Sequence, residues 1–113
     1  MPFTPRLVFV TAASVEEARK IAQAILEKHL AACVNIIPSV ESHYWWEGKL
    51  EQAAEVQMLI KSSAEQFEAL TEVVRQNHSY RCPEIVAIAP GEMSPDYRAW
   101  WESLLEGQPP ACP

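Results

Sequence analysis

The chain has 113 residues, enough for one domain and too few for two. A hydrophobic share of 49% argues for a globular core and against disorder. A formal charge of −6, with nine scattered Lys and Arg, leaves no basic face for phosphates, so no nucleic-acid partner is expected. No apolar run approaches the roughly 20 residues of a membrane span, so no membrane partner is expected either.

Residues 1–113 read as a single domain. The opening Met1-Pro2-Phe3-Thr4-Pro5-Arg6 lacks the charged and apolar regions of a signal peptide, and the expected compartment is the cytoplasm. Three cysteines, Cys33, Cys82 and Cys112, do not make a disulfide framework. Cys112 falls in a tail, 107–113, whose Gly and Pro content predicts mobility.

Arg6 to Ala12 is a short apolar, β-branched run and predicts a first strand. Ser14 reads as a helix N-cap with Glu17 as its capping-box partner. Val15, Ala18, Ile21, Ala22, Ile25 and Leu26 then recur at the spacing of one helical face, predicting a helix to about Leu30. Cys33 to Ile37 is a second strand. Pro38 has no N–H for a ladder, so an edge position or a bulge is expected there.

The strand resumes into Ser42-His-Tyr-Trp-Trp-Glu-Gly-Lys49. Gly48 can take positive φ, so Glu47-Gly48 predicts a tight hairpin turn. Along the outgoing arm, Glu55, Gln57, Leu59 and Lys61 alternate with Val56, Met58 and Ile60. That arm, Lys49 to Lys61, would span roughly 40 Å at about 3.3 Å per residue, longer than a compact domain of this size. The hairpin should project.

Ser63 is expected to cap a second helix with Gln66 as partner, and Phe67, Leu70, Val73 and Val74 form its apolar face. His78 to Pro83 is a loop, Glu84 to Ala89 a fourth strand. Ser94-Pro95 opens a last helix carrying Tyr97, Trp100, Trp101, Leu104 and Leu105. The class is α+β, a ferredoxin-like βαββαβ with a long β2–β3 hairpin and an added C-terminal helix.

Right-handed crossovers put both main helices on one sheet face. Yet the strands are apolar on both faces: Leu7 and Phe9 against Val8 and Val10, Ile85 and Ala87 against Val86 and Ile88. A face left in water would carry polar residues. Burial by other copies of the chain is therefore expected, and the fourth strand would offer them an apolar edge.

The stretches Leu30-Ala-Ala-Cys-Val-Asn-Ile-Ile-Pro38, Tyr44-Trp-Trp-Glu-Gly-Lys-Leu-Glu-Gln52, Glu55-Val-Gln-Met-Leu-Ile-Lys61, His78-x-Tyr80, Pro83-Glu-Ile85 and Tyr97-x-x-Trp100 resemble the CutA family, the divalent-cation tolerance proteins. They cover nearly the whole chain in family order. The resemblance implies a homotrimer similar to the nitrogen-regulatory PII proteins, with hairpins that embrace neighbouring subunits. It also implies a link to copper (Cu2+) or another divalent cation. The family's proposed copper ligands, a first-strand cysteine and two consecutive histidines, correspond here to Val10, Asn77 and His78. Only His78 keeps a donor, and Ser79 replaces the usual proline after it.

His78, and Cys33 as the thiol within the family's A-C-V-N-like motif, are the candidate metal ligands that the resemblance implies. The two H-x3-C pairs, His29 with Cys33 and His78 with Cys82, read more simply as chance, since soft metal sites gather three or four ligands. Glu55 and Lys61 share a strand face by parity. With Tyr80 and Trp100 they are candidates for a cleft between subunits; an interfacial ion-pair network that fixes register is the simpler reading. Tyr44, Trp45 and Trp46 are candidates for the trimer interface.

Other uses of the fold lack their residues. The first strand-to-helix loop, Thr11-Ala-Ala-Ser14, has neither the C-x-x-C of a metal chaperone nor the arginine cradle of an acylphosphatase. Phe9 alone does not make an RNA-binding sheet. No catalytic triad stands out by spacing. The expected protein is a homotrimeric binding or signalling protein tied to divalent-metal tolerance, not an enzyme. The competing expectation is a sensor holding a metabolite in the intersubunit cleft. The downstream partner is not legible.

Overall fold

The computed structural model describes residues 2–105, so Cys112 and the 107–113 tail lie outside the described residues. The elements are β1 (Pro5–Ala12), α1 (Val15–Glu27), β2 (Cys33–Trp46), β3 (Lys49–Ser63), α2 (Phe67–Asn77), β4 (Ile85–Ile88) and α3 (Pro95–Leu105). The four strands form one antiparallel sheet in the order β2-β3-β1-β4. α1 and α2 pack together on one face. Between them and the sheet lies the core, with Val8, Val10, Met58 and Ile60 from the strands and Ile21, Ile25, Leu70 and Val74 from the helices.

The hairpin closes as its sequence requires. Glu47 and Gly48 take φ of 51° and 78°, and Trp46 pairs with Lys49 across a two-residue loop. Positive φ at both central residues is the type I′ turn, whose twist matches that of paired strands. At about 3.3 Å per residue, the 15-residue β3 accounts for the molecule's 47 Å long axis against 27 and 23 Å in the other directions. β2 is an edge strand, and its register shifts between Ile37 and Val40, so Pro38 has both of its expected settings.

Helix boundaries depart from expectation. α1 ends at Glu27, not Leu30. His29 takes φ of 56°, its N–H reaches the Leu26 carbonyl, and the Leu30 N–H reaches that of Ile25. This double closure is a Schellman motif with histidine in the left-handed position usually held by glycine. Similarly, α2 begins at Phe67, not directly after Ser63. Ser63 ends β3, and its Oγ accepts the Gln66 N–H at 3.2 Å across an intervening turn.

The second sheet face is not left wholly bare. α3 lies over one end of it, packing Trp101 and Leu105 with Leu7, Ala32 and Phe3. Trp101 is 2% exposed and donates its indole N–H to the Ser62 carbonyl at 2.9 Å. The two main helices keep to one face as expected, but α3 covers part of the other, so burial of the second face does not fall to other copies alone. Beyond α3, Ile37, Val86 and Ile88 remain exposed, as do Tyr44, Trp45, Trp46 and Leu50 on the hairpin.

Candidate functional site

The root of the hairpin carries an ordered polar chain. It begins where β1 gives way to α1. Ser14 Oγ accepts the Glu17 N–H at 3.1 Å, and Glu17 Oε2 accepts the Ala13 N–H at 3.0 Å, so the capping box closes on Ala13. The other Glu17 oxygen accepts the Ser79 N–H at 2.9 Å. Burial opposes ionisation of Glu17, but the donors from Ala13 and Ser79 outweigh it and hold the carboxyl below its ordinary value. One carboxylate thus ties the start of α1 to the loop after α2.

His78 completes that tie. Its Nε2 lies 2.6 Å from the Thr11 carbonyl, which only accepts, so Nε2 carries the proton. Its Nδ1 lies 3.0 Å from the Tyr80 N–H, which only donates, so Nδ1 holds the lone pair. The side chain is fully buried, and its Nδ1 also lies 3.7 Å from Glu17 Oε2.

Tyr80 is aimed by the same latch. Its ring packs against His78 with centroids 4.8 Å apart, and its hydroxyl donates to Glu55 Oε2 at 2.8 Å. Burial, followed by the hydrogen-bonded Glu55 carboxylate, pushes the Tyr80 phenol up to about 12. Glu55 and Tyr80 line a cleft of about 640 Å³ between the hairpin and the loop that leads to β4. Tyr44, Trp46, Arg81 and Glu84 contribute further walls.

Lys61 and Trp100 lie elsewhere in the subunit. Lys61 stands six residues beyond Glu55 on β3, roughly 20 Å at about 3.3 Å per residue. Its ammonium meets Asn35 Oδ1 at 3.0 Å and Cys33 Sγ at 3.8 Å, and sits 5.6 Å from the Tyr97 ring centre. Burial opposes its charge, but Tyr97 and Cys33 outweigh that and raise its pKa above the ordinary lysine value. Trp100 packs on Tyr97 at 5.3 Å. Within one subunit the four expected cleft residues therefore form two pairs at opposite ends of the second face.

The expected metal ligands do not converge. Both His78 nitrogens are committed, and Cys33 lies beside an ammonium, about four strand residues or 13 Å from the level of Thr11. Val10 is fully buried in the core, and the Asn77 amide donates to the Val73 carbonyl at 2.9 Å. Among the described residues no group of three or more His, Cys, Asp or Glu is placed to hold a metal ion. A soft divalent site needs several convergent donors, so the donor set of one subunit does not fit one. His29 and His43 are also engaged, with the Leu104 carbonyl and Glu41 respectively.

Trp45 is the most open of the hairpin aromatics at 73% exposed, opposite Leu50 in register. Reading the sequence missed Glu17 as a tie to the Ser79 loop, because its second bond spans 62 residues. It also missed Arg81, although the position beside Tyr80 was the available signal.

Residues 6–103 match the family model described as CutA1 divalent ion tolerance protein. Protein CutA of Mus musculus is 41% identical over 106 residues, covering 94% of this chain and 60% of the mouse protein. The divalent-cation tolerance protein CutA of Archaeoglobus fulgidus is 42% identical over 99 residues, covering 88% and 96%. The solved structure of that archaeal CutA, described as periplasmic, superposes with a TM-score of 0.86 at 40% identity over 89% of this chain and 98% of the other. CutA1 from Oryza sativa gives 0.85 at 39% identity over 90% and 94%. The family match and the superpositions span almost every described element, and the chain belongs to the CutA1 divalent ion tolerance family.

Proposed function

We propose that the chain is a homotrimeric, cytoplasmic binding or signalling protein linked to divalent-cation tolerance, and that it acts through a ligand held at the root of the hairpin. One observation carries this reading. Tyr44 and Trp46 line the cleft, yet they are 40% and 43% exposed in the single subunit. The surface that asks for a neighbouring copy is thus continuous with the surface that forms a binding cavity. A second copy laid along the hairpin would close the cleft. It could also bring a Lys61 and Trp100 pair towards the Glu55 and Tyr80 pair of its neighbour.

Copper held by His78 and Cys33 is the less supported route, because the donor geometry opposes it. The sensor reading, with a metabolite in the cleft, is favoured by the same geometry. No helix among the described residues is long and apolar enough to cross a membrane. Fractionation of the producing cells tests the compartment.

Light scattering at micromolar concentration should give about three times the 12.7 kDa chain mass. A monomer would overturn the assembly. Calorimetric copper titration of the wild type, Cys33→Ala and His78→Ala, each under conditions where circular dichroism shows it folded, should give the same affinity for all three. A loss in either variant would restore the metal-ligand reading.

A further inference from the structure

The cleft holds a charge that its own subunit leaves without a partner. Glu55 is half-buried on β3, and its Oε2 accepts the Tyr80 hydroxyl. Among the described residues Glu55 makes no salt bridge. A carboxylate drawn away from water without a counter-cation is costly, and one neutral donor only partly offsets that cost. Tyr80 remains such a donor across the physiological range, because its phenol ionises only at about 12.

The surroundings suit a positive group. Tyr44 and Trp46 present aromatic rings, whose faces attract cations. The volume of about 640 Å³ falls within the range of about 300–1,000 Å³ that accommodates small organic ligands. Glu84 and Arg81 also line the cleft, but both are exposed, and solvent screens their opposite charges. The charge that is both fixed and partly desolvated is negative.

We infer that the cleft binds a small organic ammonium compound, with its cationic nitrogen on the Glu55 carboxylate and its body against the rings of Tyr44 and Trp46. This rests on the reading of the cleft as the protein's binding site. The nitrogen gains a charge-assisted hydrogen bond and a ring face together. An anion would meet two carboxylates, against one exposed guanidinium and the exposed His43 imidazole, which is already engaged by Glu41. A bare divalent ion would lack a convergent set of three donors among the described residues.

The test uses three probes with one ring and different charge: 2-phenylethylammonium, 2-phenylethanol and phenylacetate. Calorimetry on the full chain should show the ammonium bound at least about tenfold more tightly than the other two. Glu55→Gln keeps an oxygen for the Tyr80 hydroxyl but removes the charge. It should weaken the ammonium at least about tenfold with Tm and oligomeric state unchanged, whereas Arg19→Ala, exposed on α1 and outside the cleft, should stay within about twofold. Preference for phenylacetate, lost in Arg81→Ala, would overturn the inference. So would the absence of ammonium binding at about 10 mM, a concentration that would reveal even a weak site. If that absence comes with dissociation of the Glu55→Gln protein, the carboxylate instead pairs with a cation of a neighbouring copy. Light scattering on the same samples reports the assembly separately, so a failed trimer and a failed ligand class give different results.

Discussion

The hydroxyl of Tyr80 donates to Glu55 Oε2 at 2.8 Å, joining the loop before β4 to the middle of β3 across 25 positions of sequence. The bond sets the floor of the cleft and leaves the Glu55 carboxylate facing a neutral donor. Tyr80→Phe should lower stability by about 1–2 kcal/mol, since a part-buried acceptor loses its donor. The phenol's own titration has a definite sign. Its folded value of about 12 lies above its ordinary value of 10.0, so its contribution is complete below pH 10 and is lost as pH rises towards 12. Ultraviolet titration should show one tyrosine ionising late, and the late step should vanish in Tyr80→Phe.

His78→Ala should be a folding lesion. The substitution removes a fully buried ring together with its bonds to the Thr11 carbonyl and the Tyr80 N–H. A loss of about 2–4 kcal/mol is expected from the cavity and the unpaired backbone groups. Chemical denaturation measures it. A change below about 0.5 kcal/mol, the range of an ordinary surface substitution, would contradict the latch.

Glu17 should govern part of the acid limb. Its folded pKa is lowered, so its stabilisation is present above the ordinary 4.5 and is lost as pH falls through the folded value. Glu17→Gln should flatten the decline in Tm below pH 4.5. An unchanged slope would show that the Ala13 and Ser79 donors do not favour the charged carboxylate.

The turn tolerates improvement. Glu47 holds φ of 51°, where its Cβ crowds the following carbonyl, a cost that Asn and Asp offset by hydrogen-bonding locally. Glu47→Asn creates the preferred pair for this turn and should raise stability by about 0.5–1 kcal/mol, read as a higher Tm.

Where local chemistry decides, the sequence predicted the element. Glu47-Gly48 specified the hairpin, Pro38 the bulge, and the alternation through Val56, Met58 and Ile60 the buried side of β3. The end of α1 was not legible because His29, with no glycine to announce it, adopts the left-handed turn under closure by two backbone bonds. The docking of α3 was also hidden. Its tryptophans identify an apolar helix but not which sheet face receives it; contact with Leu7 and the Ser62 carbonyl decides that.

The candidate site divides in the same way. Glu55 and Tyr80 were both legible as polar residues near the hairpin, and a hydrogen bond joins them. Lys61 shares the strand face of Glu55 by parity, but the extended backbone carries it to the other end of the face. His78 was a candidate metal donor only through the resemblance to the CutA family. Only its two opposed backbone partners, Thr11 and Tyr80, fix its tautomer and remove its free lone pair.

By itself, the sequence determined the α+β class, the order of elements, the projecting hairpin and the apolar character of both sheet faces. These follow from periodicity and turn chemistry, which act over a few residues. The tertiary structure alone decided that His78 is a latch, that α3 caps one end of the second face, and that Glu55 stands in a cleft without a cation of its own subunit. Those outcomes depend on which distant groups share a hydrogen bond or exclude water, and no local pattern encodes that pairing.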